Sequence, residues 1–131
     1  MKRNMDLVRE ILLSFENVEA ARVSKKSIVV DGYKKEEIDF HIELLVEAGL
    51  LNHHIAKPET TSGRPFLMRF DMGIRPTMIG YDFADSVRDP EVWSKTKKGA
   101  ERAGGFTIDL LKDLAKGLIK KKIEEHTGIQ I

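Results

Sequence analysis

An α+β domain, with two helices and a β-hairpin followed by further helices, is the fold class this sequence predicts. Three features predict it. Apolar residues recur at spacings of three and four near residues 5–15 and 38–45, a turn-rich break separates two strand-like runs within residues 52–76, and apolar stripes at helical spacing return after Pro76. At 131 residues the chain matches the usual size of a single domain, and one core suffices for it.

Each element has a local reason. Met5, Val8, Ile11, Leu12 and Phe15 form one face of helix one, from Asn4 to Phe15. Ser27-Ile28-Val29-Val30 is a β-branched run stopped by the turn dipeptide Asp31-Gly32, and reads as a short strand. Helix two begins near Lys34 or Lys35 and ends at Gly49, a left-handed cap, with Ile38, Ile42, Leu45 and Ala48 inward. Residues 52–76 read as a hairpin with its tip near 58–65, because Thr60-Thr61-Ser62-Gly63 is turn chemistry and Phe66, Met68 and Phe70 alternate with Leu67 and Arg69. Thr77 caps a third helix to Arg88 that uses Ile79 with Phe83 and Ala84 with Val87. Asp89-Pro90 breaks the chain before a fourth helix, Glu91 to about Ala103, which stops at Gly104-Gly105. Thr107 caps a fifth helix whose stripe is Ile108, Leu111, Leu114, Ala115, Leu118 and Ile119.

Composition narrows the classes. With 41% hydrophobic and 33% charged residues the chain fits a globular protein, neither disordered nor membrane-spanning. Met1-Lys2-Arg3-Asn4 leads into Asp6, Arg9 and Glu10 rather than an apolar run, so no signal peptide is read and a cytoplasmic location is expected. The absence of cysteine excludes disulfides, thiolate metal sites and cysteine nucleophiles. Net charge is +1, and the basic excess falls late: residues 91–131 hold 9 Lys/Arg against 6 Asp/Glu, whereas residues 1–51 hold 8 against 10.

Helix, short strand, helix, hairpin, helix is the order of a winged-helix domain, a helix-turn-helix variant. On this expectation residues 1–131 form one domain: a winged-helix core at 1–76, a wing hairpin near 51–75, and C-terminal helices at 77–131. Glu47-Ala48-Gly49-Leu50-Leu51 resembles the end of the recognition helix in many bacterial winged-helix regulators. Further stretches carry a resemblance over nearly the whole length: Met1 to Arg9, Asp31-Gly32-Tyr33, His41 to Leu51, Gly80-Tyr81-Asp82-Phe83, Val87-Arg88-Asp89, Val92-Trp93 and Ala103-Gly104-Gly105. Together they resemble the small bacterial and prophage proteins grouped as domain of unknown function 2513. The resemblance implies a fold and a mobile-element setting, and names no activity.

Two functions stay open. DNA binding with transcription regulation is what the fold invites, yet a major-groove helix presents Arg, Lys, Asn, Gln, Ser or Thr outward. Helix two presents Glu36, Asp39, Phe40, Glu43 and Glu47, and between Lys34 and Ala48 two lysines face five carboxylates. Such a surface repels duplex phosphate. The DNA-contact candidates therefore lie elsewhere: Lys57, Arg64 and Arg69 on the wing, and Lys112, Lys116 and Lys120 on the last helix. The alternative is a protein-interaction or dimerisation module in which Phe40, Leu44 and Val46 touch another protein or a second copy. His53 and His54, adjacent on a strand, point to opposite faces and do not chelate one ion, and His41 has no second histidine at ligand spacing. His41 is expected to be a half-buried residue that ties helix two to a backbone carbonyl. Trp93, at helical spacing from Lys97, reads as a core anchor. No nucleophile motif, phosphate loop or carboxylate pair is legible, so the expectation is a non-enzymatic protein without metal, cofactor or membrane partner.

Overall fold

The computed structural model describes residues 1–57 and 69–128. Within them the chain is α+β: α1 (Met5–Ser14), α2 (Lys35–Glu47), β1 (Leu51–Ala56), β2 (Phe70–Pro76), α3 (Met78–Val87), α4 (Pro90–Ala103) and α5 (Ile108–Thr127). Short 3-10 turns cover Phe15–Asn17 and Lys25–Ser27. The chain divides into two compact units, Met1–Tyr81 and Asp82–Ile131. The expected hairpin tip, with Arg64, Phe66 and Met68, lies outside the described residues.

In the first unit α1 packs on α2 and α2 on β1. Asn4 caps α1 by accepting from the Asp6 and Leu7 amides, and Met5, Leu7, Val8, Ile11 and Leu12 are buried. Leu7 widens the predicted stripe, which is what a helix covered on more than one side requires. Ile38, Ile42 and Leu45 of α2 are buried as expected, but Ala48 is exposed. The helix ends at Glu47, Gly49 turns left-handed at φ +80°, and the buried position passes to Leu50, whose amide bonds the Leu45 carbonyl at 2.9 Å.

β1 and β2 pair antiparallel, Leu51 opposite Pro76 and Ala56 opposite Phe70, with an irregularity between His53 and Ile55. The strand expected at Ser27–Val30 is not formed. Instead Val23 bridges Ile74 through two backbone bonds of 2.9 and 2.7 Å, and the turn at Lys25–Ser27 then lifts the chain from the sheet edge. Ile28 is buried, while Val29 is 71% exposed, so the β-branched run supplies one anchor and no ladder.

α3 starts where the sequence places it, with the Thr77 hydroxyl accepting from the Gly80 amide at 3.0 Å. The same hydroxyl donates to the Gly49 carbonyl, and the Thr77 amide bonds the Leu50 carbonyl at 3.0 Å. Ile79, expected inward with Phe83, is 56% exposed, and Gly80 is buried in its stead. The first turn packs backbone against backbone at Leu50, and the glycine must occupy the inward position.

In the second unit Phe83, Ala84, Val87, Val92, Trp93, Ala100, Leu111 and Ala115 are buried. Asp89 caps α4 by accepting from the Glu91 and Val92 amides, with Pro90 at the first helical position, and Gly104 ends it at φ +87°. The other Asp89 oxygen meets Lys122 at 2.7 Å, so the start of α4 lies beside the end of α5 and the two helices run antiparallel. That contact holds the Asp89 carboxyl below and the Lys122 amine above their usual ranges, in each case chiefly through their mutual hydrogen bond. Trp93 is a core anchor, as predicted, with the Lys97 amine 5.7 Å from its ring centre.

Candidate functional site

The outward row of α2 follows from helical geometry. Ile38, His41, Ile42 and Leu45 occupy the buried side, so Glu36, Phe40, Glu43 and Glu47 line the opposite side at spacings of three and four. The three carboxylates are exposed and Phe40 is half-buried, its ring edge-on to His41 with centres 5.4 Å apart. Leu44 and Val46 are half-buried on the two flanks of this row. Among the described residues Glu36 and Glu47 have no cationic partner, Glu43 has Lys25 at 3.7 Å, and Asp39 is held by Lys35 at 3.2 Å. The face is thus an aromatic edge set among carboxylates.

His41 fixes that face. It is 1% exposed, and its Nδ1–H donates to the Glu37 carbonyl at 2.7 Å while Nε2 accepts from the Asn4 amide at 2.8 Å. The ring is fully rather than half buried, and the carbonyl it bonds belongs to α2 itself, so the expected tie of helix two to a backbone carbonyl is replaced by a tie to a backbone amide. The second bond, which joins α2 to the cap of α1, has no signal in the sequence.

The hairpin presents a second exposed surface of this unit. At the irregularity His54 faces Met72 and Gly73, and Gly73 adopts φ +95°. A Cβ at Gly73 would stand 2.9 Å from the Val23 carbonyl oxygen, so only glycine brings the two backbones this close. Asp71 closes the bulge: one oxygen accepts from the Gly73 amide at 2.8 Å and pairs with His53 at 2.9 Å. These contacts, first the Gly73 amide and then His53, hold the Asp71 carboxyl below its usual range. A depressed carboxyl contributes stability that is complete above the ordinary aspartate value and is lost as pH falls through the lowered one. Asp71→Asn is therefore expected to flatten the acid limb of hairpin stability and to speed exchange of the Gly73 amide. A pH series of amide exchange by NMR checks this, and an unchanged acid limb counts against it.

Phe70 and Met72 are 44% and 52% exposed on the strand, and Arg22 donates to Asn52 at 2.9 Å and to the Gly73 carbonyl at 3.3 Å. Of the predicted DNA contacts, Lys57 and Arg69 are exposed and flank the Ala56–Phe70 pair at the tip-ward end of the strands. Arg64 lies outside the described residues. In the second unit Lys116 and Lys120 are exposed and Lys112 half-buried on α5, interleaved with the exposed Asp109 and Asp113. Among the described residues no group of three His, Cys, Asp or Glu is placed to hold a metal ion, and no helix is long and apolar enough to cross a membrane. His53 and His54 do not converge, because His53 is engaged by Asp71 while His54 points to the exposed side.

The fold and the site define a small α+β protein that exposes, among its described residues, an acidic, aromatic helix face and a hairpin with Phe70 and Met72 open to solvent. By sequence the chain belongs to the DUF2513 family, described as a hypothetical protein, whose model matches residues 2–106. It is similar to an uncharacterized protein of Haemophilus influenzae strain Rd, 27% identical over 124 residues that span 94% of this chain and 99% of the relative. No solved structure matches.

Proposed function

We propose that the first unit is a winged-helix frame put to use as a protein-interaction module, in which α2 stands in the place of a recognition helix and contacts protein rather than DNA. The winged-helix assignment draws support from the Val23–Ile74 bridge, which adds a one-residue strand between α1 and α2 on the far edge of β2 and gives the spatial order Val23, β2, β1. The observation that carries the function is the row Glu36, Phe40, Glu43 and Glu47. Carboxylates oppose a phosphate backbone, and a partly exposed aromatic ring among them suits a partner with basic and apolar groups. The role is non-enzymatic and regulatory, in keeping with a bacterial or prophage setting, and it calls for no cofactor.

A second reading has its own support. Exposed Lys57 and Arg69 sit together where the strands lead to the tip, so a wing is the route by which duplex DNA would be held. Fluorescence anisotropy with duplex DNA across a salt series, run beside affinity capture with wild type and Phe40→Glu, separates the two. We expect no DNA retention even at low salt, and a captured protein partner that Phe40→Glu releases. Tight duplex binding that falls steeply with salt and weakens in Lys57→Ala and Arg69→Ala overturns the protein reading.

A further inference from the structure

Among the described residues, the outer face of the hairpin has no partner and exposes two large apolar side chains, Phe70 and Met72. Along β1 and β2 side chains alternate, and the Leu51–Pro76 and His53–Ile74 pairs face the core. The bulge at Met72–Gly73 inverts the alternation, so Phe70 and Met72 come to the other face with Ala56, His54, Asn52 and Arg75. Apolar side chains this exposed on neighbouring positions mark a contact surface.

Among the described residues its charges are of one sign. Arg75 is exposed, and Arg22 reaches the same face to bond Asn52. Asp71, the one carboxylate described in either strand, belongs to the opposite face and is occupied by His53 and the Gly73 amide. The complement is on the same molecule: the α2 row joins the Phe40 ring to Glu36, Glu43 and Glu47, two of them without cationic partners among the described residues.

We infer that the occupant of the hairpin face is α2 of a second copy, with Phe40 packed on Phe70 and Met72 and the carboxylates set against Arg75 and Arg22. The assignment rests on α2 being an interaction face, and adds the partner. Two different but complementary patches on one chain either close into a ring or continue as an open chain, so association rises with concentration and falls with salt.

Complementation tests it. One variant carries Glu43→Lys with Glu47→Lys, and has a disabled helix face and an intact hairpin. The other carries Phe70→Glu with Met72→Glu, and has the reverse. All four positions are exposed, and circular dichroism confirms that each variant folds. In sedimentation velocity over a concentration series wild type is expected above the monomer mass and each variant alone at it. An equimolar mixture of the variants is expected to regain a one-to-one complex, held by the single remaining helix–hairpin pair, with its affinity reduced at least tenfold by raised salt. A monomeric wild type, or a mixture that stays apart, overturns the inference. If wild type is monomeric yet captures a different protein that Phe40→Glu releases, the second copy is wrong and the α2 face stands; if it captures none, both fall.

Discussion

Replacing Gly80 with alanine is expected to lower stability by about 3 kcal/mol or more, toward the upper end of overpacking costs. A Cβ there would overlap the Leu50 carbonyl oxygen and stand 3.0 Å from its carbon, both backbone atoms. Relief requires α3 and the chain after α2 to separate. That separation strains the Thr77 amide bond to Leu50 and the Thr77 hydroxyl bond to Gly49 at the same time. For a unit of this size the loss corresponds to a melting temperature lower by roughly 10–20 °C. Gly49 is the control: it needs its left-handed φ of +80° but has open space around a Cβ, so Gly49→Ala costs only the backbone penalty, about 1 kcal/mol. Urea denaturation of both variants reads the difference, and equal losses would show that close packing at Leu50 is not what Gly80 serves.

Gly80 also shows where sequence reading stops. Helices are legible because their caps and stripes are local: Thr77 and Thr107 read as caps and accept from helix amides, and Gly49 and Gly104 turn left-handed at helix ends, whereas the caps Asn4 and Asp89 read only as the first residue of a helix and as a break. Ile79 reads as inward because it is apolar and in phase with Phe83. What decides its position is the approach of Leu50, thirty residues earlier, which admits only a glycine on the inner side. Ile28–Val30 failed for a related reason, since a strand needs a partner edge, and Val23 already bridges β2 at Ile74.

The site was legible in the same proportion. The acidic outward row of α2 follows from spacing alone, and its exposed carboxylates are where periodicity puts them. The hairpin face was not, because strict alternation places Phe70 and Met72 on one side with Ile74 and Pro76, and the bulge at Gly73 reverses it. A glycine in a strand was the available signal.

His41→Ala is expected to cost roughly 2–4 kcal/mol, because it opens a cavity and strips partners from two backbone groups together. The Asn4 amide loses its acceptor and the Glu37 carbonyl loses a side-chain donor. The damage reaches beyond the ring. Asn4 is the residue whose side chain caps α1 through the Asp6 and Leu7 amides, so a loosened Asn4 weakens the start of the helix that α2 packs against. His41→Gln, whose amide can donate toward Glu37 and accept from Asn4, is expected to recover part of the loss, whereas His41→Phe fills the space and restores neither bond. Urea denaturation gives the energies, and amide exchange at Asp6 and Leu7 reports the cap. If phenylalanine serves as well as glutamine, volume rather than hydrogen bonding is what His41 provides. If glutamine alone protects the cap, the bridge from α2 to Asn4 is what holds the acidic face in place.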